Sequence, residues 1–190
     1  PVLRGPVGPC GSDRGCGESA VTVLAREERR RRARPGVDVL GLEIDPGRVD
    51  RARAQLEVVR AGRTSFSPET RVSFARGGFE VPTPHGRRPA VLRAFNVLRQ
   101  YDEDEVAAAW SRMAQRLRPD GILVEGTCDE LGRVCTWLEI GPDAVPRTLT
   151  LSLRLAGLEG PAIAADRLPK ALLHHNVPGE PVHAFLRTLD

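Results

Sequence analysis

The chain has 190 residues, 41% of them hydrophobic, which is enough for one well-buried domain and too little for two. The formal net charge of +3 is modest, and Lys170 is the only lysine among the basic residues. This arginine bias indicates a coding preference more than a nucleic-acid surface, which would need clustering on one face, so no nucleic-acid partner is indicated. No apolar run reaches the roughly 18 residues of a membrane span. The four cysteines form no CxxC pair, which predicts neither a zinc knuckle nor a disulfide framework and favours a reducing cytoplasm.

The predicted elements alternate between helices and strands as far as Thr127. In chain order they are a helix over 21–32, a strand over 37–44, a helix over 46–62 with Pro46 in its first turn, strands over 71–79 and 89–98, a helix that Asp102 caps with Glu105 as its capping-box partner, and a strand over 121–127. This alternation is typical of a parallel sheet that helices cover on both faces.

After Thr127 the pattern changes. The runs RVCTWLEI (133–140) and RTLTLSLRL (147–155) are separated by GPDAVP, and in the second run leucines alternate with polar residues. Such alternation is typical of an antiparallel strand with one face in water, so the two runs are predicted to pair as an edge hairpin. The segment 157–190 is predicted to form helical pieces and loops, broken at its prolines.

The predicted fold is therefore a single α/β domain over residues 1–190. It is a Rossmann-like three-layer sandwich, with a mostly parallel sheet and a C-terminal antiparallel edge hairpin. The first strand is predicted to be poorly formed or missing and residues 1–12 irregular, because PVLRGPVGPCGS carries prolines and glycines where a central strand is needed. The chain opens on Pro1 and its only methionine is Met113, so we expect the native start to be missing.

In open α/β sheets, ligands bind outside the carboxyl ends of the strands. Gly15 and Gly17, in the turn GSDRGCGESA, would let the backbone approach a ligand at the start of a helix. Glu43 ends the next predicted strand, where a carboxylate can accept both hydroxyls of a ribose. Together they predict a ribose-containing cofactor. The alternatives are a flexible leader for the turn and a solvated carboxylate for Glu43.

The order of DRGCG, VDVLGLEIDP, a strand ending in GGF, and RPDG followed by GILVEGT resembles the class I S-adenosylmethionine-dependent methyltransferases. The stretches RAFNVLRQY, EGTCDELGR and RLPKALLHHNVPGE are similar to those of a bacterial subgroup of that class with no assigned substrate. The resemblance covers most of the chain from Asp13 onward. It implies transfer of a methyl group from S-adenosylmethionine to an unidentified acceptor, for which a small molecule is slightly favoured.

The resemblance also implies roles for residues that follow the first four strands. Those expected to bind the cofactor are Asp13, Gly15, Cys16, Gly17, Glu43, Ile44, Gly78, Phe79 and Asn96. The family's usual acid after the third strand is absent, with Gly78 in its place. Three residues are candidates for catalysis: Asn96 to orient the acceptor, and Glu125 or Asp129 as a base where the acceptor must lose a proton. The alternative for all three is structural hydrogen bonding.

Two other functions stay open. GCGESA also fits the GxGxxA turn of a nicotinamide oxidoreductase, with an acid further along, although Asp13 stands where such a fold has an apolar residue. A degenerate, non-catalytic methyltransferase-like domain is the third hypothesis, since the first strand is predicted to be deficient.

No metal site is predicted. DEDE at 102–105 is explained by helix capping, and the run EERRRRAR at 27–34 by a solvated helix end. His174, His175 and His183, with Glu180, fit no established zinc spacing. We expect these histidines to shape the substrate side or to dock the C-terminal segment.

Overall fold

A computed structural model of the chain describes residues 2–4, 36–158 and 160–189. The strands within these ranges are β1 (Val2–Arg4), β2 (Val39–Glu43), β3 (Val72–Arg76), β4 (Val91–Phe95), β5 (Ile122–Cys128), β6 (Val134–Ile140) and β7 (Pro146–Leu153). They form one sheet in the order β3-β2-β1-β4-β5-β6-β7. The strands from β3 to β5 in this order are parallel, and β6 and β7 are antiparallel. This confirms the predicted α/β fold with an antiparallel edge hairpin.

The helices of the same ranges are α1 (Pro46–Arg60), α2 (Glu103–Ala114), α3 (Lys170–Leu173) and α4 (Pro181–Arg187), with short 3₁₀ turns at Pro84–Gly86, Leu98–Gln100 and Pro161–Arg167. Asp45 caps α1 by accepting a hydrogen bond from Arg48 N at 2.7 Å. The capping box predicted at Asp102 and Glu105 is present at the start of α2. None of these helices is long and apolar enough to cross a membrane.

Hydrophobic clusters cover both faces of the sheet. Val39 and Leu40 are consecutive in β2, so their side chains point to opposite faces. Val39 packs with Leu56 and Val59 of α1, whereas Leu40 belongs to the main core, which includes residues of α2. The largest fully buried aliphatic residues of the main core are Leu98, Leu117, Leu123 and Ile140. Burying each such side chain contributes roughly 1.5–3 kcal/mol, so the three layers are held mainly by these contacts.

The first strand is present but short. Val2–Arg4 lies between β2 and β4 and pairs in parallel with both. The sequence predicted a poorly formed or missing strand here because proline cannot donate to a central ladder. The three paired residues contain no proline, and Pro6 and Pro9 follow them. The strand is therefore poorly developed, not missing, and the predicted irregular segment 1–12 does not include Val2–Arg4. The helix predicted over 21–32 lies outside the described residues.

The predicted edge hairpin is present, and its second strand packs against the C-terminal segment. On one face of β7, Leu149, Leu151 and Leu153 pack against a small core of Ala164, Leu168 and Leu186. Leu155, which the alternation placed on the same face, is 80% exposed because β7 ends at Leu153. Helical pieces begin at or next to the prolines, as expected from residues that cannot continue a preceding helix.

Two arginines of α1 contact the free edge of β3. Arg71 O accepts a hydrogen bond from Val39 N of β2 at 2.9 Å, so this carbonyl points toward β2. Because successive carbonyls of a strand point to opposite sides, those of Val72 and Phe74 point away from β2. Arg60 Nη2 donates to Val72 O at 3.3 Å, and Arg53 Nε donates to Phe74 O at 3.1 Å. The guanidinium groups thus bond carbonyls that no strand in the described part of the chain pairs with.

Candidate functional site

The strand order reverses between β1 and β4, which run side by side at the centre of the sheet. In open α/β folds the crevice for a ligand forms at the carboxyl ends of the strands at such a reversal. The ends of β2 and β3 lie to one side of it, and the ends of β4 and β5 to the other. The predicted cofactor residues Asp13, Gly15, Cys16 and Gly17 lie outside the described residues. The described candidates fall on both sides of the crevice.

Glu43 is the last residue of β2, and its side-chain hydrogen bonds with the described residues all go to one carboxylate oxygen. Oε1 accepts hydrogen bonds from Asp45 N and from Arg48 Nη2, both at 3.0 Å. Oε2 accepts none from the residues that the structure describes. The side chain keeps 18% of its surface exposed, while Arg48 in the first turn of α1 fixes its direction. Glu43 therefore presents a positioned carboxylate oxygen at the edge of the crevice.

Ile44 and Gly78 lie beside Glu43. Gly77 N donates to Glu43 O at 3.0 Å, which attaches the loop after β3 to the end of β2. A Cβ added at Gly78 would lie 3.4 Å from Ile44 Cγ2, so these two residues are direct neighbours. Ile44 is 44% exposed, which leaves an apolar surface next to the Glu43 carboxylate. The structure thus brings together three residues that were predicted to bind the cofactor.

Phe79 turns toward the core. Its ring lies 5.2 Å from that of Tyr101 in a tilted arrangement, and it packs against the main hydrophobic cluster. Contacts of this kind anchor the loop after β3. Any contact of Phe79 with a ligand would therefore involve only the part of its ring that stays uncovered.

Glu80 was missed in the sequence analysis. Its Oε1 accepts a hydrogen bond from Gly78 N at 2.9 Å, so the side chain folds back over the glycine. An acid therefore lies two residues after position 78, next to the same backbone. A search for an acid near the end of β3, not only at its expected position, would have found it.

Asn96 ties the end of β4 to the end of β5. Its Oδ1 accepts from Cys128 N at 2.9 Å, its Nδ2 donates to Cys128 Sγ at 3.4 Å, and its own N donates to Gly126 O at 2.8 Å. Asn96 adopts a φ of 58°, a left-handed conformation that asparagine tolerates better than most residues. Because both ends of the side-chain amide are engaged by Cys128, the geometry favours a structural role for Asn96 over direct contact with an acceptor.

Replacing Asn96 by alanine is expected to lower the free energy of unfolding by about 2 kcal/mol. About half of the loss comes from the left-handed backbone and half from the hydrogen bonds to Cys128. Urea unfolding of the two proteins measures the difference. Asn96→Gly is the matched control, because glycine accepts this φ and should lose only the hydrogen-bond part. Equal losses in the two variants would contradict the assignment of backbone strain.

Glu125 is buried inside the sheet, which corrects its assignment as a candidate base. It lies within β5, not after it, and it is 1% exposed on the face that carries the main core. Burial raises the pKa of Glu125 to about 8. The nearby indole N–H of Trp110 offsets part of this rise in pKa. The two groups do not form a hydrogen bond of normal geometry, because Trp110 Nε1 and Glu125 Oε2 are both buried without a hydrogen-bond partner. A carboxyl group in this position has no access to a substrate in the crevice.

Asp129 lies in the turn between β5 and β6. Its Oδ1 accepts from Arg133 N at 2.7 Å, and its backbone O accepts from Gly132 N at 3.2 Å. The side chain is half-buried, unlike that of its exposed neighbour Glu130. Asp129 therefore shapes the turn, and it is the one predicted base that keeps access to solvent at the carboxyl end of β5.

The histidines dock the C-terminal segment. His175 Nε2 lies 3.1 Å from Glu103 Oε1 at the start of α2, and His175 Nδ1 lies 3.5 Å from Glu180 Oε2. His183 contacts Asn176 instead. In the described ranges, no three His, Cys, Asp or Glu side chains are arranged to hold a metal ion. The contacts favour the docking interpretation given by the sequence.

The fold resembles solved methyltransferase structures, at low sequence identity. The citrinin polyketide synthase CMeT domain matches with a TM-score of 0.47 and 15% identity, over 68% of this chain and 29% of that one. The glycopeptide N-methyltransferase MtfA, complexed with S-adenosyl-L-homocysteine, matches with a TM-score of 0.46 and 15% identity, over 68% of this chain and 44% of that one. The CcbJ methyltransferase from Streptomyces caelestis matches with a TM-score of 0.45 and 16% identity, over 81% of this chain and 70% of that one.

This chain therefore spans less than half the length of the first two of these structures. No protein-family model matches it, and neither does any curated protein.

Proposed function

We propose that this chain binds S-adenosylmethionine in the crevice beside Glu43 and transfers its methyl group to an acceptor, with a small molecule favoured. The observation that carries the proposal is the Glu43 carboxylate. It stands at the end of β2, held by Arg48 through Oε1, while Oε2 meets no donor among the described residues. The resemblance of the sequence to class I methyltransferases supports the same cofactor.

The residues around Glu43 suit the adenosine part of this cofactor. A ribose offers two hydroxyl donors, and Glu43 Oε2 is an acceptor with no partner among the described residues. The exposed apolar side chain of Ile44 suits the flat face of a base. The acceptor oxygen of Glu43 and the apolar surface of Ile44 therefore fit a nucleoside.

S-adenosylmethionine supplies a methyl group that its sulfonium already activates, so alignment of the acceptor provides much of the rate. On this proposal Asn96 is a positioning residue, because it fixes the end of β4 against Cys128 of β5. Asp129 is the candidate base for an acceptor that must lose a proton. Its Oδ1 is engaged by Arg133 N, which leaves Oδ2 for that proton. Glu125 has no part in the reaction.

Calorimetric titration tests the proposal with S-adenosylmethionine and with NADH as separate ligands. We expect the former to bind and the latter not to bind. Glu43→Gln should weaken binding by about 10- to 100-fold, the loss expected for a hydrogen bond to a charged group. Glu57→Gln is the matched control, since Glu57 is an exposed α1 residue that pairs only with Arg60 among the described residues and should bind like wild type.

The other outcomes separate the alternatives. Binding of NADH alone would favour the oxidoreductase. Binding of neither ligand by a folded protein would favour the degenerate domain. Tight binding that Glu43→Gln leaves unchanged would remove Glu43 from the site.

A further inference from the structure

Two cysteines face each other where β5 and β6 approach their connecting turn. Cys128 and Cys135 are direct partners across the antiparallel ladder. Both are half-buried, and both are free thiols. The chain has no CxxC motif. The pairing register of β5 and β6, not spacing along the chain, brings these two cysteines together.

The backbone around the pair suits a covalent bond between the sulfurs. Asp129 N donates to Val134 O at 2.9 Å, so the next pair along, Cys128 and Cys135, is a non-hydrogen-bonded pair. The Cα atoms of such a pair lie about 4.5 Å apart, which is within the range of roughly 4.4–6.8 Å that disulfides occupy. Cys128 N is bonded to Asn96 Oδ1 instead of to β6. A bond between the sulfurs would therefore break no ladder hydrogen bond.

We propose that Cys128 and Cys135 form a dithiol site that a low-molecular-weight disulfide, such as oxidised glutathione, converts to an intrachain disulfide. One thiolate attacks a sulfur of glutathione disulfide, forming a mixed disulfide and releasing one glutathione thiolate. The other cysteine, after losing its proton, attacks the protein sulfur of the mixed disulfide and releases the second glutathione. The protein loses two protons and two electrons, and two molecules of reduced glutathione form. The site is independent of the proposed function.

The electrostatics of the pair determine how fast this exchange runs. Burial, then the charge and hydrogen bonding of Cys128 and the charge of Asp129, raise the pKa of Cys135 to about 11, and only Arg93 acts in the opposite direction. Since the thiolate is the attacking form, exchange is slow at neutral pH and accelerates as the pH rises. Because the surroundings do not stabilise a thiolate, ionisation does not favour the reduced dithiol over the disulfide.

The disulfide would lie at the carboxyl edge of the sheet. Cys128 Sγ accepts a hydrogen bond from Asn96 Nδ2 at 3.4 Å, and the turn that the disulfide would close contains Asp129. Oxidation would thus restrain two residues that were predicted to serve catalysis.

Peptide mapping of the full chain tests the proposal. The protein is equilibrated with reduced and oxidised glutathione at several ratios, alkylated and digested with trypsin. Arg133 lies between the two cysteines, so trypsin separates them into peptides 117–133 and 134–147. We expect a linked pair of these peptides that increases with the share of oxidised glutathione and disappears on reduction. A glutathione adduct on either cysteine without the link, or a link from either one to Cys10 or Cys16, would overturn the proposal.

Two variants give a second measurement. In Cys10→Ser/Cys16→Ser, titration of free thiols should fall from two per chain to none as the link forms. Cys128→Ser should give no linked pair, and Cys135 should then remain a thiol or carry glutathione. Retention of both thiols in the first variant under fully oxidising conditions would count against the site.

Discussion

Replacing Glu125 by glutamine is expected to stabilise the protein by about 3 kcal/mol at pH 7, and by up to about 5 kcal/mol above pH 8. The carboxyl is 1% exposed, and burial raises its pKa from an ordinary value of 4.5 to about 8. Between these two values the folded chain keeps a proton that the unfolded chain has lost. Stability therefore falls as the pH rises through this window, by about 1.4 kcal/mol per pH unit. Glutamine cannot ionise, so the variant escapes this loss.

Urea unfolding of wild type and Glu125→Gln between pH 5 and 9 measures the effect. The free energies of unfolding of the two proteins should be similar at pH 5, and the difference between them should grow until about pH 8. Glu139→Gln is the matched control, because Glu139 lies on the neighbouring strand β6 with a half-buried side chain. The stability of this variant should change with pH as that of wild type does. A constant difference between Glu125→Gln and wild type across the range would contradict burial of an ionisable carboxyl.

Replacing Gly126 by alanine is expected to cost about 3 kcal/mol or more of the free energy of unfolding. An added Cβ would collide with Thr136 O, and it would lie 2.6 Å from Trp137 Cβ and 2.8 Å from Trp137 Cα. These atoms belong to the backbone of β6 or lie next to it, so no side-chain rotation relieves the clash. Strand β6 would have to move away from β5, and the ladder between them would weaken.

Gly132→Ala provides the comparison for this variant. Gly132 lies in the turn of the same hairpin with a φ of 68°, and an added Cβ would meet nothing within 4 Å. Its replacement should cost about 1 kcal/mol, from backbone conformation alone. Urea unfolding measures the loss in free energy of unfolding for each variant. A Gly126→Ala protein no less stable than Gly132→Ala would refute the steric argument.

The elements of the fold could be predicted because local chemistry marks them. Asp45 and Pro46 begin α1, and the Asp102–Glu105 capping box begins α2, as their side chains require. The leucine alternation of β7 identified an antiparallel strand correctly. The bounds of β2 and β4 were narrower than predicted, because apolar residues also continue into the loops that follow these strands.

The site was harder to predict, since it depends on which face of the sheet a residue occupies. GILVEGT indicates a strand, but a strand that is buried on both faces gives no sign of which alternate residues meet a ligand. Glu125 shares its parity with Leu123 and Thr127, and all three point into the core. The position of Glu43 was easier to predict, because the last residue of a strand is accessible whichever face of the sheet its side chain is on; its role in binding stays a prediction.

The arginines that contact β3 give the sheet two unlike ends. At the β3 end, Arg53 and Arg60 occupy carbonyls that an incoming strand would need. At the other end, β7 is eight residues long, and no side chain in the described part of the chain donates to its outer carbonyls. A free strand edge is a template for further pairing. Pairing of this sheet with a strand from another molecule is therefore obstructed at β3, whereas the described residues leave the β7 carbonyls open. Two copies that join edge to edge would meet β7 to β7 and would leave no open edge for a third.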